Sequence, residues 1–130
     1  MEIKLTPVET ERVFYDALCN GLDYISGYGL RLNWNSDEYV KAKNDLLDEW
    51  ADMICREDVW IRMLKNGGSL TLEDLECDGE YDSTITIAEV HDRVTLAPEE
   101  SVISMLREDG DAGTADLIIQ SVFYQEIIFG

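Results

Sequence analysis

The sequence predicts a predominantly helical α+β domain of about six helices with one β-hairpin over 70–77 and 80–87. Three observations carry this. Apolar residues recur at a helical period through most of the chain. Helix starts are marked by capping residues and prolines. One segment alternates apolar and polar residues on either side of an Asp-Gly pair. A length of 130 residues suits one domain, and 45% hydrophobic against 29% charged residues is the composition of a folded chain.

Thr6-Pro7-Val8-Glu9 combines a capping Thr, Pro at the first helical position and Glu three residues after the cap. The helix it opens carries Val13, Phe14, Ala17, Leu18, Leu22 and Ile25 on one stripe, and Gly27 is its expected left-handed stop. Leu30, Leu32 and Trp34 then alternate, the pattern of a short extended piece. Ser36 is the expected cap of a second helix with the stripe Tyr39, Val40, Lys43, Leu46, Leu47 and Trp50. A third, over 57–66, turns Val59, Trp60, Met63 and Leu64 inward and ends at Gly67-Gly68.

In the hairpin, Asp78-Gly79 reads as a two-residue turn that pairs Cys77 with Glu80, Leu72 with Ile85 and Leu70 with Ile87. That register gathers the four apolar side chains on one face, and a slip of one residue would send them to water. Thr86-Ile87-Ala88-Glu89 is a second capping box, opening a short helix with Val90 and Val94. Pro98 starts a fifth helix that Asp109-Gly110 ends, with Val102, Ile103, Met105 and Leu106 apolar. Asp111 or Thr114 caps the last one, whose stripe of Ala115, Ile118, Ile119, Val122 and Phe123 runs towards Ile127-Ile128-Phe129, an apolar end that should be docked.

Charge is the outlier. Acids number 28 against 10 Lys and Arg, a formal net charge of −18. Residues 1–65 hold 13 acids and 8 bases; residues 66–130 hold 15 acids and 2 bases, so −13 of the charge lies in the second half. This balance excludes direct grip on a nucleic-acid backbone and docking on an anionic leaflet. Between Lys65 and Arg93 there is no cation. The acids Glu73, Asp74, Glu76, Asp78, Glu80 and Asp82 crowd the hairpin there, where like charges repel and cost stability. The leading expectation is a non-enzymatic interaction protein that meets a basic protein partner through these six residues, in its sharpest form a nucleic-acid mimic.

Three other chemistries are open to test. Asp78, Glu80, Asp82, Thr84, Thr86 and Glu89 fall at positions 1, 3, 5, 7, 9 and 12 of a calcium-loop pattern. Divalent-cation binding by Asp78, Glu80, Asp82 and Glu89 is therefore the alternative function. Against it, Ser83 stands where the sharp turn wants Gly, and 70–77 reads as a strand rather than an entering helix. Cys19, Cys55 and Cys77 lack the close pairing of zinc ligands and read as buried reduced thiols. His91 has Asp92 beside it, but adjacent helical positions do not face each other, so it lacks an orienting partner for general-base work. No organic cofactor is expected. With no basic-then-apolar leader, no long apolar run and an odd cysteine count, the expected location is cytoplasmic.

The stretches Glu57-Asp58-Val59-Trp60 through Leu64 with Gly67-Gly68 and Leu70-Thr71, Thr86 to Val94, and Thr114 to Gln120 with Glu126 to Gly130 resemble small acidic uncharacterised proteins of gut bacteria, their mobile elements and phages. The resemblance covers the C-terminal part and implies no activity; it implies an accessory or host-interaction role.

Overall fold

The computed structural model describes residues 4–50 and 53–130. In chain order these form α1 (Pro7–Ser26), β1 (Leu30–Trp34), α2 (Ser36–Glu49), α3 (Arg56–Lys65), β2 (Leu70–Asp74), β3 (Ser83–Ile85), α4 (Ile87–Arg93), a 3-10 turn (Val94–Leu96), α5 (Glu99–Leu106) and α6 (Ala112–Tyr124). The class is α+β and mostly helical, as the periodicity predicts. The sheet, however, is three-stranded and antiparallel in the order β1-β2-β3, not a lone hairpin. An isolated hairpin is marginal in water, and the alternating Leu30–Trp34 piece supplies the missing strand.

The predicted hairpin is corrected in both length and register. Leu70 pairs with Ile85 and Leu72 with Ser83, where Leu70–Ile87 and Leu72–Ile85 were expected. A shift of two residues preserves the faces, so Leu70, Leu72 and Ile85 are still buried. The cause lies at Thr86-Ile87, which both a strand and a helix start claim. The helix wins: Glu89 accepts from the Thr86 N–H at 3.4 Å and from its hydroxyl at 2.9 Å, so β3 stops at Ile85. Residues 75–82 then become a long loop in place of a two-residue turn. On the wet face, Thr71 and Thr84 share a hydrogen bond of 2.8 Å, and Arg31 lies 3.4 Å from Glu73 across the β1–β2 pair.

Helix α1 begins with the expected reciprocal cap, the Thr6 N–H donating to Glu9 at 2.9 Å and the Glu9 N–H to the Thr6 hydroxyl at 3.2 Å. It ends before Gly27, but Gly27 keeps a right-handed conformation and Gly29 takes the left-handed one, with φ of 81°. Asn35, not Ser36, caps α2 by accepting the Glu38 N–H at 3.0 Å. The rotation of α2 also departs from the expected stripe. Tyr39 stacks on Trp34, which packs against buried Trp60, and Ala42 and Leu46 turn inward. Val40, Leu47 and Trp50, predicted to be core, are exposed.

The left-handed residue after α5 is Glu108 rather than Gly110, and Asp111 caps α6 by accepting the Thr114 N–H at 2.8 Å. Gln125, at φ of 64°, ends α6 short of the apolar tail, which leaves the helix yet is docked. Phe129 stacks on Tyr28 at 5.2 Å and meets Tyr81 edge-on at 5.2 Å. Gln120 holds the tail's backbone: its oxygen accepts the Ile128 and Phe129 N–H groups, both at 2.8 Å. Its amide donates to Asp116 at 2.9 Å, and the Tyr28 hydroxyl donates to the same carboxylate at 2.9 Å. A polar pair buried on α6 is therefore fully engaged, the condition under which such groups belong in a core.

The core gathers on the α1–α6 crossing, where Phe14 and Phe123 lie 6.2 Å apart. Gly21 lets the two helices approach: a Cβ there would sit 2.9 Å from the Ala115 Cβ and 2.9 Å from the Ile119 Cδ1. Among the described residues no helix is long and apolar enough to cross a membrane. Gly21→Val should destabilise the fold by about 2–3 kcal/mol through overpacking at this crossing. A urea titration checks this; an unchanged midpoint would show that the crossing has slack.

Candidate functional site

The inward row of β2 is Leu70, Leu72 and Asp74, and the third of these is a carboxylate only 6% exposed. It lies at the strand's end, where the loop wraps round it. One Asp74 oxygen accepts the N–H groups of Glu76 and Cys77, each at 3.0 Å, and the other accepts the Tyr81 N–H at 3.3 Å. The Asp74 N–H in turn donates to the Asp82 carboxylate at 2.7 Å. These donors hold the Asp74 carboxyl below the usual carboxylate range, the Cys77 N–H contributing most, against the opposing effect of burial.

Backbone bonds finish the loop. Gly79 donates to the Asp74 carbonyl, Glu80 to that of Cys77 and Asp82 to that of Gly79, each at 3.1 Å, and Leu75 ties the loop to Gly29 at 2.8 Å. Asp78 and Gly79 both take left-handed conformations, with φ of 52° and 82°. Asp is among the few residues with a side chain that enter this region readily. At Gly29, a Cβ would collide with the stem of Glu76, so glycine serves there both for its φ and for that close approach.

The six acids predicted to form one partner-binding face therefore divide. Asp74 is buried and occupied by the loop's backbone, which corrects its expected place among the partner-facing acids. Glu73 is half-buried on the sheet and is the one of the six in an ion pair, with Arg31. Glu76, Asp78, Glu80 and Asp82 are exposed on the loop, and among the described residues none of them meets a cation within ion-pair distance. Leu75 projects among them as an exposed apolar side chain. Cys77 reports the local field. Its thiol is pushed above its ordinary value, first by burial and then by the charges of Asp74, Glu80 and Glu76.

The calcium pattern does not assemble as a helix–loop–helix, because its loop leaves β2 and enters β3. Asp82 is bonded to the Asp74 N–H and Glu89 to its own helix cap, and among the described residues no group of three or more metal-ligating side chains comes together. Cys19, Cys55 and Cys77 are free but exposed, which corrects the expectation that they are buried. Cys55 caps α3, its thiol donating to Asp58 at 2.9 Å and lying 3.3 Å from the Tyr15 hydroxyl. Burial, then the nearby Glu57, pushes the Cys19 thiol up to about 11.

His91 does find a partner, but from another helix. Its Nε2 lies 2.9 Å from Glu11 of α1, whose other oxygen lies 3.6 Å from Lys65. No spacing in the sequence signals this contact, since 80 residues separate the pair. Beside it, a cleft of about 550 Å³ opens between α1, α2 and α3, with Tyr15, Trp50 and Ile61 among its walls. Its rim carries ion pairs, among them Arg62 with both oxygens of Glu49 at 2.7 and 2.9 Å. Among the described residues Glu11 is the one side-chain hydrogen-bond partner of the His91 ring.

Asp74 sets a pH signature. A carboxyl whose folded value is lowered stabilises above its unfolded value of about 3.9, and that stability is lost as pH falls through the folded value. Asp74→Asn should lower the urea midpoint at neutral pH, flatten the decline below about pH 4 and speed amide exchange at Glu76, Cys77 and Tyr81. An acid limb matching the parent chain would contradict this. Separately, Glu76→Gln with Glu80→Gln should raise the rate at which Cys77 is alkylated near neutral pH, because two of the three charges that disfavour its thiolate are gone and only that of Asp74 stays; mass-spectrometric labelling measures it.

Comparison with protein-family models, with curated proteins and with solved structures finds no match, so what this loop does is read from its own chemistry.

Proposed function

We propose that this chain is a non-enzymatic interaction protein whose 75–82 loop docks on a cationic surface of a protein partner. The observation that carries the reading is the combination of preorganisation and unpaired charge. The loop's backbone is held by Asp74, while Glu76, Asp78 and Glu80 extend from it with no cation paired to them among the described residues. Such a loop loses little conformational entropy on binding and gains ion pairs the free protein lacks. Leu75 offers an apolar anchor inside the charged rim. An accessory or host-interaction role, the one the resemblance to small acidic bacterial and phage proteins implies, is a natural setting for it. Mimicry of nucleic acid is the sharper form of the same reading.

The test is capture of partners from a lysate, followed by affinity measurement on the purified pair. A 1:1 complex should weaken at least tenfold as ionic strength rises from about 0.1 M to about 1 M, where the screening length shrinks from about 10 Å to about 3 Å. The variant Glu76→Gln/Asp78→Asn/Glu80→Gln keeps the loop's backbone preferences and should lose capture without losing thermal stability. Competition by duplex DNA for the partner's surface separates mimicry from plain acidic docking. Salt-independent affinity, or full binding by the triple variant, would remove the proposal.

A further inference from the structure

We infer that the 126–130 segment is a latch whose docking keeps the 75–82 loop in order and so regulates it. The regulatory use rests on the docking role proposed above; the coupling itself is a property of the free chain. The segment is held in a way that lets it open. It leaves α6 at Gln125, whose left-handed backbone, with φ of 64°, is uncommon for a residue with a side chain. Among the described residues its backbone bonds to no other backbone. Gln120 holds it, accepting the Ile128 and Phe129 N–H groups at 2.8 Å and donating to the Phe129 carbonyl at 3.1 Å. A segment fastened by one amide and one ring lies at the low end of local stability, and it can lift while α6 stays in the core.

When docked, the segment braces both anchors of the acidic loop. Phe129 stacks on Tyr28 and meets Tyr81 edge-on, each at 5.2 Å. Tyr28 leads directly into Gly29, whose carbonyl accepts the Leu75 N–H at 2.8 Å and whose backbone lies against the stem of Glu76. Tyr81 donates its own N–H to Asp74 at 3.3 Å, and Asp82 after it holds the Asp74 N–H at 2.7 Å. Leu75 is the loop's entry and Tyr81 lies at its exit, so one ring on the segment supports both. Tyr124, the third ring against Phe129 at 6.2 Å, stands within the field of the same carboxylates: burial, then Asp74 and Asp82, push its hydroxyl up to about 12. Undocking withdraws Phe129 from both anchors at once. Coupling of this kind is reciprocal. Whatever orders the loop tightens the segment, and whatever captures the segment loosens the loop.

Residue-resolved hydrogen exchange of the free, full chain tests the coupling without a partner. Phe129→Ala should speed exchange of the Cys77 and Tyr81 amides roughly tenfold while Leu72, within β2, keeps its rate. Phe129→Tyr, which retains the ring, should match the parent chain. In the reverse direction, Asp74→Asn should speed exchange at Ile128 and Phe129. Loop rates untouched by Phe129→Ala overturn the inference, and so does a rise shared equally by β2, which would mean general loss of stability. The regulatory use is read separately, from binding of an oligoarginine peptide, which Phe129→Ala should weaken roughly fivefold by lowering the population of the competent loop. Equal affinity in the two chains would overturn that use. A parent chain that does not bind the peptide at all would remove the docking reading, while the exchange rates still decide the coupling.

Discussion

The carboxylate of Asp74 sits where the inward row of a strand runs out of apolar side chains and the backbone has to turn. It takes three backbone N–H groups from the loop that follows, while its own N–H is held by Asp82. Without a buried acceptor at that point, those donors would face either solvent or one another, and the 75–82 loop would have no single shape. Everything distinctive about the acidic segment follows from this one group. It fixes where Glu76, Asp78 and Glu80 emerge, and it lets crowded negative charge ride on ordered backbone. An anionic side chain does the work of a turn, so the element that adds charge also adds order.

The remaining repulsion has to be absorbed elsewhere. The α1–α6 crossing, with Gly21 against Ala115 and the buried Asp116–Gln120 pair clamping the chain's last residues, forms the apolar mass that holds the fold against it. Among the described residues six cations form ion pairs with Glu11, Asp45, Glu49, Glu57, Glu73 and Glu108, two of which, Arg62–Glu49 and Lys65–Glu11, join helices of the first half. Exposed pairs of this kind contribute little each. Their larger consequence is spatial, because cations used there are withheld from the acidic loop.

Much of the fold was legible in the residues. Thr6-Pro7 with Glu9, Asp111 before Thr114, and Thr86 with Glu89 mark helix starts because capping is a local interaction, set by neighbours in sequence. The alternation of Leu70, Leu72 and Ile85 fixed the sheet's faces. It could not fix the register, because a two-residue shift leaves the faces unchanged and the competing capping box at Thr86 decided it. The rotation of α2 was not legible either: Tyr39 on Trp34 on Trp60 is a tertiary contact, and it overrode a stripe that also fitted a helical period. At the site, the acidic crowding was plain from composition, whereas the role of Asp74 lay hidden in it. The signal was present, since Asp74 continues the inward alternation after Leu70 and Leu72, and a charged residue on a buried row needs partners. The Glu11–His91 contact had no such signal.

The most direct measurement is a titration of the free chain with a short oligoarginine peptide, followed residue by residue through amide chemical shifts. If Asp74 holds a preorganised anionic dock, the shifts concentrate at residues 75–82, saturate at one peptide per loop and vanish when Glu76, Asp78 and Glu80 are neutralised. Shifts spread evenly over the acidic residues of the second half, without saturation, would mean that the charge serves solubility alone.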